Sequence, residues 1–317
     1  MLEVVLSLLA GLVLFLFAVN NLSSTITDFA GERVRIWILK FTKNLFSAII
    51  TGTIFTTLLD SSSAVIIIAI VLINAKLLTF KQTMGIIMGA NIGTTFSSQL
   101  IAMNIGKYSP VLLVLGFVLL LVAKSNKLNN LGKIVVYFGM LFFGLYTMER
   151  AVEPLRNEAY FQHFLTSLDN PYLGSLTGAI LTLIIQSSSA TVGMAIVFAK
   201  KGLLSVSAGL ALMIGAELGT CSDTLLATIG GSKQAKKAGL FHLFFNLCSI
   251  IIGLIFFKPF VKLAMYISNS NKFEHIIANG HVLFNFLGVL LFIGFVPKVE
   301  QLLNRWIKDE AFEQISE

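Results

Sequence analysis

The chain has 317 residues, of which 56% are hydrophobic and 12% charged, with a mean hydropathy of +0.86. That is too apolar for a water-soluble globule of this size and excludes a soluble enzyme or a nucleic-acid-binding domain. The net charge of +7 comes from Lys and Arg in the connections between apolar runs, as in the loops of a membrane protein.

Apolar stretches of near-spanning length recur along the chain, among them 4–19, 111–122, 134–148 with its flanks, and 282–296. The first carries Glu3 in place of a basic n-region and lacks a small-x-small cleavage site, so it reads as a retained span. A span over about 4–22 is followed by a basic loop, Arg33 to Lys43, and then by a hairpin over about 44–75 that turns at Ser61 to Ser63. A broken span over about 84–103, with its glycines as the break, and a span over 109–123 complete this half. Cys221 and Cys248 lie in apolar segments without metal or disulfide spacing and read as small hydrophobes.

The pattern then repeats. "TGTIFTTLLDSSSAV" (51–65) matches "TGAILTLIIQSSSAT" (177–191) at eight of fifteen positions, with an offset of 126. In the same register "MGANIGTT" (88–95) falls on "IGAELGTC" (214–221), and "FAVNNL" (17–22) on "FGLYTM" (143–148). Three blocks at one offset predict two copies of one structural unit, the mark of many secondary transporters. The predicted fold class is therefore an all-α integral membrane protein with two inverted-topology repeats, each with a re-entrant helical hairpin and a broken transmembrane helix. Repeat 1 is expected over 1–125 with its apex at 60–64, and repeat 2 over 126–258 with its apex at 186–190. A connecting segment and one more span follow over 259–297, then a short amphipathic cytoplasmic tail over 298–317. Three crossings per copy would invert the second, and this topology puts 15 of the 23 Lys and Arg residues on the cytoplasmic side.

Serines at a hairpin apex have a physical rationale. Non-helical backbone at membrane depth must line a protein-buried or watery cavity, because lipid cannot satisfy its N–H and C=O groups. A half-helix starting at the serines presents unpaired amides and the positive end of its dipole, a favourable place for an anion. Ser61, Ser62, Ser63 and Ser187, Ser188, Ser189 are then expected to meet, with Asp60 and Gln186 beside them. Freed carbonyls and Ser/Thr oxygens suit Na+. The competing reading is that small residues serve close helix packing.

These residues resemble the type II sodium-phosphate cotransporters, including bacterial members. The paired Ser-Ser-Ser-Ala motifs, the G-A-N-I-G-T-T block after each and "FHLFFN" carry the resemblance, over about 5–290. It implies Na+-coupled symport of inorganic phosphate by alternating access in a cell membrane, the bacterial inner or plasma membrane. By position it points to Ser61, Ser62, Ser63, Gln186, Ser187, Ser188, Ser189, Asn91, Thr94 and Thr220 for substrate. Candidate Na+ ligands are Asp60, Thr95, Glu217 and Asp223. Asp60 stands where the family usually has Gln, and Glu217 where it usually has Asn. Carboxylates inside a membrane are functional candidates by default. They leave open Na+- or H+-coupled transport of another oxyanion or small carboxylate, and a membrane phosphate sensor that does not transport. A structural ion pair is open as well.

His242 and Asn246 recur as His281 and Asn285, each pair four residues apart on one helix face. They read as support behind the substrate site, as a proton-sensitive gate, or as hydrogen bonding between the last two spans. Gln82, Gln99, Asn20 and Asn21, near span ends, read as interface residues. No catalytic constellation or P-loop is present, so no enzyme activity is expected, and no cofactor beyond Na+ as coupling ion. The expected partners are inorganic phosphate, sodium ions and the lipid bilayer, without nucleic acid; a homo-oligomer is left open.

Overall fold

The computed structural model describes residues 2–30, 32–103 and 105–307, and among these it is all-helical. The first half comprises α1 (Leu2–Ala30), α2 (Glu32–Phe41), α3 (Leu45–Leu59), α4 (Ser62–Asn74), α5 (Phe80–Ala102) and α6 (Ser109–Val122). The second comprises α7 (Asn126–Ala151), α8 (Ala159–Ser167), α9 (Pro171–Ile185), α10 (Ser188–Lys200), α11 (Val206–Gly219), α12 (Cys221–Ala227) and α13 (Lys233–Ile255). Three further helices follow: α14 (Phe257–Ser268), α15 (Phe273–Ile293) and α16 (Val296–Trp306).

Helix boundaries follow local chemistry that recurs at the offset. Asn44 and Asn170 cap α3 and α9, and Ser61 and Ser187 cap α4 and α10. Thr79 and Ser205 cap α5 and α11. Each cap supplies a side-chain oxygen to an amide that has no carbonyl one turn earlier. After α4 and α10 the chain turns through Lys76 (φ 58°) and Gly202 (φ 67°).

Among the described residues, five helical stretches are long and apolar enough to cross a bilayer: Leu2–Phe29, Asn126–Arg156, Val206–Ala227, Lys233–Ile255 and Phe273–Ile293. Phe80–Ala102 with Gly106–Val122 makes a sixth if taken as one bent span. The chain is a multi-pass membrane protein. By contrast α3, α4, α9 and α10 have 13 to 15 residues. At 1.5 Å per residue such helices reach only about 20 Å, short of a hydrocarbon core of about 30 Å.

The expected break at the glycine block is absent from the first copy, and in the second the helix is divided only at Thr220, just past Gly219. Helix α5 runs unbroken through Gly89 and Gly93, and α11 leads into α12 through a helical Thr220 (φ −64°, ψ −23°). The glycines instead remove side chains between helices. A Cβ on Gly89 would lie 2.0 Å from the Ile49 carbonyl oxygen, and one on Gly215 1.8 Å from that of Ser175. Gly52 meets Ile86 O and Gly178 meets Leu212 O in the same way, so α3 lies backbone to backbone on α5, and α9 on α11.

The largest buried cluster joins Phe15 of α1 and Phe142 of α7 to Val192 and Ile196 of α10 and Met213 of α11. A second packs Ile66 and Ile70 of α4 and Met84 of α5 against Phe241, Phe245 and Phe292, whose rings meet at centroid distances from 5.1 to 6.3 Å. Of the tail, α16 tucks Val299 and Leu303 into this cluster, and Lys237 Nζ donates to Asn304 Oδ1 at 2.7 Å. Residues 308–317 of the expected tail lie outside the described residues.

Candidate functional site

The two hairpins turn alike. Helix α3 ends at Leu59, Asp60 takes the left-handed conformation (φ 51°, ψ 33°), and Ser61 starts α4 by accepting from Ala64 N at 3.2 Å. Helix α9 ends at Ile185, Gln186 is left-handed (φ 56°, ψ 33°), and Ser187 accepts from Ala190 N at 3.2 Å. In both, the first amides of a 13-residue helix are left without intrahelical carbonyl partners.

Both apices open into one polar cavity of about 320 Å³. Ser61, Ser62 and Ser63 line it from one hairpin, and Gln186, Ser187, Ser188 and Ser189 from the other. Asp60, Thr94, Thr220 and Asp223 complete the part of the lining read from the sequence. Asn20, Ser23 and Ser24 of α1 line it too, as does Val19. Asn20 therefore faces the cavity and is not an interface residue; its spacing to Ser23 and Ser24, three and four residues on, puts all three on one helix face and was the signal available.

The carboxylates are placed unsymmetrically. Asp60 at the first apex accepts a short hydrogen bond from Ser97 Oγ of α5. At the offset of 126, Gln186 is the counterpart of Asp60 and Asp223 the counterpart of Ser97. Asp223 accepts from Ser63 Oγ of the other repeat at 3.1 Å. Each side of the cavity thus keeps one carboxylate, on the apex in one repeat and on the neighbouring helix in the other. Among the described residues no Lys or Arg lines the cavity.

Asn91, Thr95 and Glu217 do not line it. Thr95 Oγ1 bonds back to Ile92 O at 2.7 Å. Glu217, only 3% exposed, lies behind the cavity wall, where its Oε1 is 2.6 Å from His281 Nε2 and accepts from Asn285 Nδ2 at 3.2 Å. The other ring nitrogen of His281 is 2.6 Å from Ser98 Oγ. Asn91 donates to Asn246 Oδ1 at 2.5 Å, and Asn246 donates to the Glu217 carbonyl at 3.1 Å. His242 Nδ1 is 2.9 Å from Thr224 Oγ1. The α15 pair, His281 and Asn285, therefore gives the buried Glu217 carboxylate the partners its burial requires, while the α13 pair bonds the Glu217 backbone carbonyl through Asn246 and Thr224 through His242.

A family model described as Na+/Pi-cotransporter matches residues 14–150 and again 147–295. The uncharacterised protein YqeW of Bacillus subtilis is 28% identical, over 95% of this chain and 97% of its own length. YjbB of Salmonella typhimurium, described as a proposed inorganic phosphate export protein, is 24% identical over 96% of this chain, which spans only 56% of it. The human sodium-dependent phosphate transport protein 2B is 27% identical over 40% of this chain and 20% of its own. No solved structure matches.

Proposed function

The chain belongs to the Na+/Pi-cotransporter family, and from that footing we propose that it is a secondary active transporter of inorganic phosphate coupled to Na+. The observation that carries this reading is the pairing, in one cavity, of two helix N-termini with two carboxylates and no basic side chain.

The amides and hydroxyls at Ser61 to Ser63 and Ser187 to Ser189, with Gln186, Thr94 and Thr220, donate to the phosphate oxygens. A phosphate dianion beside Asp60 and Asp223 is repelled unless cations enter with it, and Na+ takes hard oxygen ligands. The two carboxylates are the cation ligands of this reading, and no cofactor is required. Glu217 is not among them; with Asn91 and the His/Asn pairs it holds the wall.

In this reading the two copies are inverted, and the four short helices form two re-entrant hairpins that meet from opposite sides. Support comes from the offset of 126 that the boundaries of α3 and α4 share with those of α9 and α10, from the shortness of these helices, and from the 15 of 23 Lys and Arg that this topology would put on the cytoplasmic side. One relative is described as an export protein and another only as a sodium-dependent phosphate transport protein, so in this reading direction follows the gradients imposed.

Tracer phosphate flux in proteoliposomes, with Na+, K+ and pH gradients of either sense, tests the proposal. Flux should follow the Na+ gradient and fall at least tenfold in Ser62→Ala and Ser188→Ala. Undiminished flux in both variants would remove the serines from the site, and flux driven by pH alone would replace Na+ by H+ as coupling ion.

A further inference from the structure

Helices α4 and α10 hold equivalent places in the two copies, yet one of their faces is covered in only one copy. On α4 the residues Ile67, Val71 and Asn74 share a face and are exposed, the two apolar ones at 39% and 45%. At the offset of 126 their counterparts on α10 are Gly193, Val197 and Lys200, and Val197 is only 4% exposed. The cover is chiefly the pair α1 and α7. A Cβ on Gly193 would meet Leu145 of α7 at 3.8 Å and Phe15 of α1 at 3.9 Å, besides Ile101 of α5 at 3.2 Å. Val197 lies in one buried cluster with Met148 and Val152. Glu149 of α7 then ties down the end of α10: its Oε2 is 2.5 Å from Lys200 Nζ and its Oε1 is 3.3 Å from Lys201 Nζ, while Glu153 Oε2 is 3.9 Å from Lys201 Nζ.

The corresponding residues of the first copy are arranged otherwise. Asn74 accepts from the Ser232 amide at the start of α13 at 3.1 Å, and Ser23, the counterpart of Glu149, lines the polar cavity with Asn20 and Ser24. Phe29 near the end of α1 is exposed, whereas its counterpart Leu155 is buried. Helices α1 and α7 meet backbone to backbone, since a Cβ on Gly11 would lie 2.8 Å from the Gly144 carbonyl oxygen and one on Gly144 2.7 Å from that of Gly11. Backbones packed this closely move together. A pair seated on α10 and drawn off α4 has a mirror arrangement, seated on α4 and drawn off α10, which two like copies make accessible. The ion pairs weight only one of the two, because Ser23 and Asn74 stand where Glu149 and Lys200 would be.

We propose that Glu149, Lys200 and Lys201 form an ionic latch that holds α1 and α7 on α10 and away from the Ile67–Val71 face of α4. Its rupture lets α1 close onto that face. The proposal rests on the reading of the chain as a two-copy transporter, and adds which body moves and what restrains it.

Cross-linking of Ser23→Cys with Asn74→Cys by bismaleimidoethane reports the mirror arrangement, in the whole protein in detergent, against single-cysteine controls. Adding Glu149→Gln or Lys200→Gln should raise the rate of linking about fivefold. Raising the ionic strength from about 50 to about 500 mM with choline chloride should raise it with the latch intact and add nothing once Glu149→Gln is present. Unchanged thermal unfolding shows that the variants fold, and the salt comparison in the intact latch needs neither latch substitution. A rate indifferent to both the substitutions and the salt, or no link under any of these conditions, overturns the proposal. The readout uses neither phosphate nor a gradient. Failure of the transport reading would appear as absent phosphate flux with latch-dependent linking intact, and failure of the latch as flux with a flat linking rate.

Discussion

Hairpin α3–α4 and hairpin α9–α10 turn at equivalent residues with nearly the same backbone angles, yet one apex carries a carboxylate and the other an amide. The missing charge of the second hairpin reappears on α12 as Asp223, where the first repeat has Ser97. Hydroxyl partners differ too: Thr182 Oγ1 donates to Thr191 Oγ1 at 2.8 Å, whereas Thr56, its counterpart, faces a valine position and has a buried hydroxyl without a partner. Backbone, caps and glycine contacts are kept between the copies, while charge is redistributed. Each copy thus brings one carboxylate to the cavity, at a different position.

The largest effect expected is on what the copies share. Gly89→Ala and Gly215→Ala each force a Cβ into a carbonyl oxygen and should each lower stability by about 3 kcal/mol or more. Thermal unfolding in detergent checks this, and tolerance of one but not the other would break the equivalence of the repeats. Next comes the charge. Asp60→Asn and Asp223→Asn should each weaken apparent Na+ affinity in flux assays by about tenfold, about 1.4 kcal/mol. Adding Gln186→Asp to Asp60→Gln restores the carboxylate count on the other apex and should recover most of that loss; no recovery would show that position, not total, matters.

Behind the cavity, Glu217→Ala leaves His281 and Asn285 without their acceptor and should destabilise by about 2 kcal/mol, more than Asn91→Ala at the equivalent position at about 1 kcal/mol. The smallest contrast lies within the hairpins. Thr182→Val should destabilise by about 1 kcal/mol by breaking a buried bond, and Thr56→Val should be neutral or stabilising because it removes an unpartnered hydroxyl.

Much of this was legible because a repeat read twice suppresses chance. The offset of 126 located both apices and, through them, Ser61 to Ser63, Gln186 to Ser189, Thr94, Thr220, Asp60 and Asp223 in one cavity. The glycine blocks misled because a glycine that breaks a helix and one that lets another backbone approach look the same locally; only the Ile49 and Ser175 carbonyls distinguish them. Glu217 was ambiguous for a related reason. A carboxylate in an apolar run signals a partner without saying whether that partner is an ion or a histidine 64 residues away. Asn20, Ser23 and Ser24 share a helix face, but nothing in α1 itself says what that face meets.

Asp60 and Gln186 hold a backbone conformation that disfavours any residue with a Cβ by about 1–2 kcal/mol. Glycine would relieve it at both positions. A protein selected for endurance alone would place glycine there; this one keeps a polar, cavity-lining side chain at each turn, so variants that survive heat better by Asp60→Gly or Gln186→Gly should be the ones that have given up their work.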